Sequence, residues 1–374
     1  MMTSNRIFLA AGGTGGHIIP ALAICVGLQE KGYNCEFLSD KRGKILLQQL
    51  APEQKITKIA SASPVSGSAL KRAGALLQLL FGVGQSIAHI IRWRPLCVIG
   101  FGGYPSAPPI ISANLFRIPS LLHEQNARIG RANLFLANQV KTLLLSWQHS
   151  TPLPAKTPIK VTGLPVRNAF FEIPDYRKKT EFTEEKPCHL LIIGGSLGAE
   201  IFARLIPNVI STLPLATRKN LCVTQQVRSE QQAQLEAHYN DLSITHNCAA
   251  FFTHMADEMS KADIIISRAG AASVSEIAAA GRASIFIPFP FALDDHQTAN
   301  ARSLTSENAA ILLPQPEAEA TPEILSNTLL RLMNNPQECK IMADKARSLA
   351  NKNALNDIIE AITDCHKPSN GRAK

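Results

Sequence analysis

The sequence predicts an α/β protein built from two Rossmann-like, doubly wound domains facing across a cleft. Three observations predict it. An apolar, strand-like run at 7–11 enters the turn Gly-Gly-Thr-Gly-Gly-His at 12–17, which leads into an apolar-periodic helix at 21–28. The same strand, Gly-Gly-hydroxyl-x-Gly turn and helix start recur at 188–199. Finally, 374 residues exceed what one hydrophobic core usually supports. Ligands of open parallel sheets lie outside the carboxyl ends of the strands, so two such ends facing each other make a cleft.

The first glycine turn is a backbone platform for an anionic or sugar-bearing ligand. Glycines at 12, 13, 15 and 16 allow close ligand approach, and the following helix aims its free N–H groups and positive dipole end at that place. The pattern is not the dinucleotide G-x-G-x-x-G, because Ile18 stands where the third glycine belongs, and no Gly-Lys-Ser/Thr follows to make a P-loop. A strand at 96–100 then enters Phe-Gly-Gly-Tyr-Pro, and a strand at 119–123 enters Glu-Gln-Asn-Ala-Arg. Polar groups at such strand ends mark the site of a doubly wound domain. Strands at 140–145 and 159–162 close the first half. Gly and Pro at 163–168 mark a linker, and the charged stretch 174–186 reads as unstructured. The second half has strands at 221–225, 249–252, 262–267 and 284–288, the third opening into another glycine turn at 268–276. Helical residues run from about 336 to the end. The expected divisions are 1–164, 165–340 and a helical segment 341–374.

The 8 cysteines are scattered without a C-x-x-C or cysteine–histidine cluster, which argues against a zinc site or a disulfide framework and fits a reducing cytoplasm. No cleavable leader is expected, because 7–11 already belongs to the first strand. A net charge of +9 favours anionic partners. Nucleic acid is not expected among them, since no basic stripe interleaved with aromatics and no helix-turn-helix is present. Residues 70–94 are apolar in the middle and basic at both ends, interrupted by Gln78, Gln85, Ser86 and His89. The uninterrupted run falls short of the about 20 residues a spanning helix needs. Two readings stand: two core helices flanking a sheet, or, added to that role, a membrane-docking surface around Leu76, Leu77, Leu80 and Phe81 beside Lys71 and Arg72.

Seven motifs in register carry a specific resemblance. They are Gly-Gly-Thr-Gly-Gly-His at 12–17, Gly-Gly-Tyr at 102–104, His-Glu-Gln-Asn at 123–126, Pro-Val-Arg at 165–167, Gly-Gly-Ser at 194–196, Ser-Val-Ser-Glu at 273–276 and Asp-His-Gln-Thr-Ala-Asn at 295–300. Over nearly the whole chain the set resembles the MurG family of peptidoglycan glycosyltransferases. The resemblance implies the GT-B fold, a donor nucleotide held mainly by the C-terminal domain, and a last helix returning to the N-terminal domain. It implies inverting transfer of GlcNAc from UDP-GlcNAc to the 4-hydroxyl of the MurNAc unit of undecaprenyl-pyrophosphoryl-MurNAc-pentapeptide, converting lipid I to lipid II. Such a protein sits peripherally on the cytoplasmic face of the bacterial inner membrane. Its implied partners are an anionic membrane surface and proteins of cell-wall synthesis and division. Leu164, Leu197 and His296 depart from the family's usual Asn or Thr, Gln and Gln.

The chemistry must stabilise a departing diphosphate while an acceptor hydroxyl attacks the anomeric carbon. The chain lacks an Asp-x-Asp metal motif, and successive Asp294 and Asp295 in an extended segment point to opposite faces. No metal or cofactor is therefore expected, positive potential coming from helix N-termini and Arg167. His17 is the expected general base, since an imidazole with an ordinary pKa near ~6.5 suits proton removal near neutrality; Glu124 is the rival, or else it holds His123 or the acceptor loop. The resemblance further implies that Thr14, Gly15 and Gly16 contact the transferred sugar or diphosphate and that Asn126 binds GlcNAc. Ser196 donates to a phosphate, Glu276 accepts from the ribose hydroxyls, and Gln297 with Asn300 reads sugar hydroxyls. The backbone near Phe252 reads the uracil edge, and Tyr104 and Arg128 face the acceptor. Each has a plainer alternative: turn geometry for the glycines and Asn126, a helix cap for Ser196, dipole complementation for Glu276, and an interdomain ion pair for Arg167. Rival functions are another GT-B UDP-sugar transferase acting on a lipid, a UDP-GlcNAc epimerase, and a nicotinamide-dependent oxidoreductase. For the last, Asp40 lies near the right distance from the first turn.

Overall fold

A computed structural model describes residues 5–63, 68–176, 181–195, 199–315 and 322–365. The chain divides into two units, one made of Met1–Pro165 with Asn353–Lys374 and the other of Val166–Lys352.

The first unit is a seven-stranded sheet in the order β3-β2-β1-β4-β5-β6-β7, every described pairing parallel. Its strands are β1 (Arg6–Ala10), β2 (Asn34–Ser39), β3 (Ile56–Lys58), β4 (Cys97–Gly100), β5 (Ser120–Glu124), β6 (Thr142–Leu145) and β7 (Ile159–Val161). Helices α1 (Gly15–Glu30), α2 (Lys41–Leu50), α3 (Ala69–Trp93), α4 (Ala107–Leu115) and α5 (Arg131–Ala137) connect them. The central strands are buried on both faces, which is why 7–11 and 97–101 read as continuous apolar runs rather than alternating ones. The chain turns in opposite directions from β1 and β4, so the loops after these two strands flank the topological switch point.

Two expectations are corrected here. Helix α1 begins at Gly15, not at 21, and carries Pro20 in its second turn, so His17 lies within its first turn. Residues 69–93 form one helix, not two. Its buried face is short: Ala75, Gly82, Ser86 and Ile90. Gly82 permits the contact, because a Cβ there would collide with the Ala60 carbonyl. Leu70, Leu76, Leu77, Leu80 and Phe81 are all more than half exposed. By length and apolar content this one helix suffices to cross a membrane. However, Gln85 Oε1 accepts from the Ala60 amide at 2.8 Å and His89 Nε2 meets Glu36 Oε1 at 2.7 Å, bonds that lay the helix on its own domain.

The second unit is a six-stranded sheet in the order β10-β9-β8-β11-β12-β13, again with parallel pairings. Its elements run α6 (Asn168–Phe171), β8 (Cys188–Ile193), α7 (Glu200–Ser211), α8 (Leu215–Lys219), β9 (Leu221–Gln226), α9 (Ser229–Asp241), β10 (Thr245–Ala249), α10 (Met255–Lys261), β11 (Ile264–Ser267), α11 (Ala271–Ala280), β12 (Ala283–Phe286), α12 (His296–Thr305), β13 (Ile311–Leu312), α13 (Pro322–Asn334) and α14 (Pro336–Leu349). The switch point lies between β8 and β11, whose following turns hold Gly195 and Gly270. The strand expected at 249–252 is displaced: β10 ends at Ala249, with Ala250, Phe251 and Phe252 following it. It is an edge strand with polar, partly exposed Thr245, His246 and Asn247, so the apolar pair at 251–252 misdirects the reading.

The last helix, α15 (Ala354–Cys365), counts with the first unit, while α14 belongs to the second. Ile358, Ile359 and Ile362 of α15 join the buried cluster formed by Ile24, Leu28, Cys97 and Ile99. Gly27 on α1 admits it, since a Cβ there would lie 2.5 Å from Ile359 Cδ1.

Candidate active site

At the β1/β4 switch point the chain leaves β1 into Gly12 and Gly13, the latter at φ +81, which suits glycine. Thr14 occupies the N-cap of α1 without spending its hydroxyl on a capping bond. Gly15 and Gly16 open the helix, so their amides are first-turn donors. His17 Nδ1 lies 3.1 Å from the Gly12 carbonyl oxygen. A carbonyl only accepts, so Nδ1 carries the hydrogen, and in the neutral ring the lone pair is on Nε2. The ring rests against the turn after β4: a Cβ on Gly102 would come within 3.3 Å of His17 Nε2, and one on Gly103 within 3.5 Å of Cε1. Gly102 and Gly103 have φ of +93 and +69.

The next strand end holds a polar knot. Glu124 Oε1 accepts from the Asn126 amide at 3.0 Å and from Asn126 Nδ2 at 3.2 Å, while Oε2 accepts from the Gly130 amide at 2.9 Å and from Asn133 Nδ2 at 2.8 Å. Both oxygens are thus committed to shaping the loop 125–133. Of the two roles weighed for Glu124, loop clamp and base, this geometry supports the first. Fully buried His123 donates from Nε2 to the Gly163 carbonyl at 3.1 Å and accepts from Gln125 Nε2 at Nδ1. Burial lowers its pKa to about 4, so it is neutral. Tyr104 starts a short turn after β4, and Arg128 is exposed.

In the second unit, Arg167 at the N-cap of α6 reaches Glu276 Oε1 in the first turns of α11 at 3.5 Å and stacks over Phe170. Its partner lies in its own unit. Burial pushes the Glu276 carboxyl up, against the opposing charge of Arg167. Gln297 Oε1 accepts from the amides of Ala269 at 3.2 Å and Phe289 at 2.9 Å, joining the turns after β11 and β12. Asn300 was expected to read sugar hydroxyls with Gln297; instead it is fully buried and donates to the Ala269 carbonyl at 3.0 Å. It supports the turn. Ser196 and Leu197 lie outside the described residues. Phe252 follows β10 and is partly exposed.

Arg268 and Asn133 are organising residues that sequence reasoning passed over. Arg268 donates to the carbonyls of Ile287 and Pro288, both at 2.9 Å, and to Gln315 Oε1 at 2.6 Å, sandwiched near Phe202 and Phe289. The available signal was a lone Arg just after the Ile264–Ser267 strand with its three isoleucines, since a buried guanidinium needs acceptors from several loops.

Residues 7–144 match the glycosyltransferase family 28 N-terminal domain and residues 189–362 the family 28 C-terminal domain. With glycine turns at the switch points of two parallel sheets, these matches define a glycosyltransferase of the GT-B fold. A UDP-N-acetylglucosamine--N-acetylmuramyl-(pentapeptide) pyrophosphoryl-undecaprenol N-acetylglucosamine transferase of Rhizobium rhizogenes is 37% identical over 366 residues, 96% of each chain. The protein of that name from Sinorhizobium fredii is likewise 37% identical over 96% of each. MurG of Acinetobacter baumannii superposes with a TM-score of 0.81 at 32% identity, over 96% of this chain and 99% of that one. The chain belongs to this MurG family of N-acetylglucosamine transferases. A UDP-GlcNAc 2-epimerase from Neisseria meningitidis shares the fold alone, at a TM-score of 0.63 and 13% identity over 96% of this chain and 100% of that one.

Proposed function

We propose that this chain transfers GlcNAc from UDP-GlcNAc, with inversion, to the 4-hydroxyl of the MurNAc unit of lipid I, giving lipid II for peptidoglycan synthesis. The observation that carries the reading is His17: its tautomer is held by Gly12, and its basic Nε2 sits at the β1/β4 switch point beside Gly102. Nε2 takes the proton of the acceptor hydroxyl as that oxygen attacks the anomeric carbon and the bond to the UDP oxygen breaks. Thr14 and the first-turn amides of Gly15 and Gly16 face developing negative charge. Asn126, shaped by Glu124, contacts the sugar, and Tyr104 and Arg128 take the acceptor side.

In the second unit Glu276 accepts from the ribose hydroxyls, with Arg167 opposing the upward push of burial on its carboxyl. Ser196 donates to a phosphate, and Gln297 offers its Nε2 to the sugar while its Oε1 holds the turns. Helix dipoles and Arg167 supply the positive potential that other sugar transferases draw from a metal. The exposed apolar face of α3, with Lys71 and Arg72 beside it, docks on an anionic bilayer and brings the active site to a lipid-anchored acceptor. On this reading the protein is peripheral to the cytoplasmic face of the inner membrane.

The test is transfer of radiolabelled GlcNAc to a short-chain lipid I analogue in EDTA. Product is expected at an undiminished rate. A loss of turnover restored by magnesium defeats metal independence, and UDP binding without product moves the acceptor to another lipid or sugar.

A further inference from the structure

Asp40 has a suitable distance from the first turn for the ribose contact of a nicotinamide enzyme, and its surroundings give it a different task. It follows β2 and caps α2, its Oδ1 accepting from the Gly43 amide at 2.8 Å and from the Gly13 amide at 3.2 Å. The second bond is the informative one. The Gly13 N–H belongs to the same peptide group as the Gly12 carbonyl, and that carbonyl accepts from His17 Nδ1 at 3.1 Å. One peptide plane is thus gripped on one side by a carboxylate and grips the imidazole on the other.

A peptide between two glycines is the kind that rotates most readily, because neither neighbour has a Cβ to oppose it. Rotation here would turn the carbonyl away from Nδ1 and release the ring tautomer. The Thr14 amide also donates to the Gly12 carbonyl, at 3.1 Å, and Asp40 holds the same peptide from its N–H side; the packing there is close, since a Cβ on Gly12 would lie 2.7 Å from Asp40 Oδ1 and one on Gly43 would lie 2.8 Å from Gly12 Cα. We propose that Asp40 is a positioning residue for His17, acting through the Gly12–Gly13 peptide to fix the orientation and tautomer of the ring. The proposal rests on His17 as the base.

The experiment compares Asp40→Ala, Asp40→Ser, Asp40→Asn, His17→Ala and the His17→Ala/Asp40→Ala double variant of the full chain, in the lipid I analogue assay with melting curves alongside. Asp40→Ala should lower kcat about 10- to 100-fold, as a misplaced catalytic group does, with KM for UDP-GlcNAc within about twofold. Asp40→Asn keeps an acceptor oxygen at the same reach and should restore most of the rate. Ser is a good N-cap but one bond shorter, so Asp40→Ser should melt near the parent temperature and still turn over as poorly as Asp40→Ala. The double variant should be no slower than His17→Ala, since the two residues act as one unit. Near-normal kcat in Asp40→Ala, full rescue by Ser, or a loss that multiplies on His17→Ala overturns the proposal while leaving His17 as base. Near-normal turnover of His17→Ala instead removes the base assignment, and Asp40's role goes with it.

Discussion

His17 and Gly12 form a closed relationship across five residues: the Gly12 carbonyl accepts from Nδ1 at 3.1 Å, which leaves Nε2 as the basic nitrogen. A histidine serving only the turn would need that bond and nothing more. A base needs the other nitrogen to reach a substrate. His17→Ala should therefore lower turnover roughly 10²–10⁴-fold with little change in donor affinity, measured as kcat and as UDP binding. Turnover near the parent value would leave His17 a turn residue.

Glu276 provides a pH signature for the donor site. Its partly buried carboxyl has a raised pKa, opposed by Arg167, and in the proposed ribose contact only the carboxylate form would accept from both hydroxyls. Protons and donor then compete, so UDP affinity should begin to fall on acidification at a pH above the ordinary glutamate value of about 4.3. Glu276→Gln should weaken UDP binding about 10-fold or more and flatten that acid limb. A carboxylate that merely complements the α11 dipole would lower the melting temperature and leave affinity alone; calorimetric titration across pH separates the two.

Much of this architecture is legible in the residues, and the limits have physical causes. The runs at 7–11, 97–100 and 264–266 are apolar throughout because both sheet faces are covered, and glycine turns follow β1 and β11 at switch points where only backbone-close packing works. By contrast β2 carries Glu36 at its centre, and β10 is half exposed, so neither presents the pattern of a buried strand. At the site, residue type announces polarity but not who uses it. Glu124 spends both oxygens on its own loop, and Asn300 looks like a sugar reader until its amide is found on Ala269. Leucines at 76, 77 and 80 have the same composition whether they face the core or solvent. Only the narrow Gly82–Ser86–Ile90 seam decides which.

That outward face makes a clean test of docking. Leu77, Leu80 and Phe81 lie away from the seam, so replacing them with Ser, Gln and Ser should leave the melting temperature nearly unchanged, as surface changes usually do. Co-sedimentation with anionic vesicles should drop sharply, because each apolar side chain withdrawn removes area buried in the headgroup region. Turnover on a detergent-solubilised acceptor should persist. Unaltered vesicle binding would show that α3 does not dock.

Glu36 ties the same helix to the sheet and should set the acid stability of the first unit. Burial on its own would raise this carboxyl, but hydrogen bonds from His89 and Thr57, with the charges of His89 and Lys55, outweigh it and bring the pKa down to about 2. Arg6 adds a contact at 2.8 Å. For an acid with a depressed folded pKa, the unfolded chain binds protons first, so the contribution is fully present above the ordinary value of about 4.3 and is lost as pH falls from there through about 2. The size is on the order of 3 kcal/mol. Denaturant unfolding should show that loss across the acid window. In Glu36→Gln the pH dependence should flatten, and stability at neutral pH should fall by about 3–5 kcal/mol, because the cations around it keep their burial and lose their counter-charge. If Glu36→Gln unfolds with the parent's acid profile, the carboxylate is not the group that holds α3 against β2.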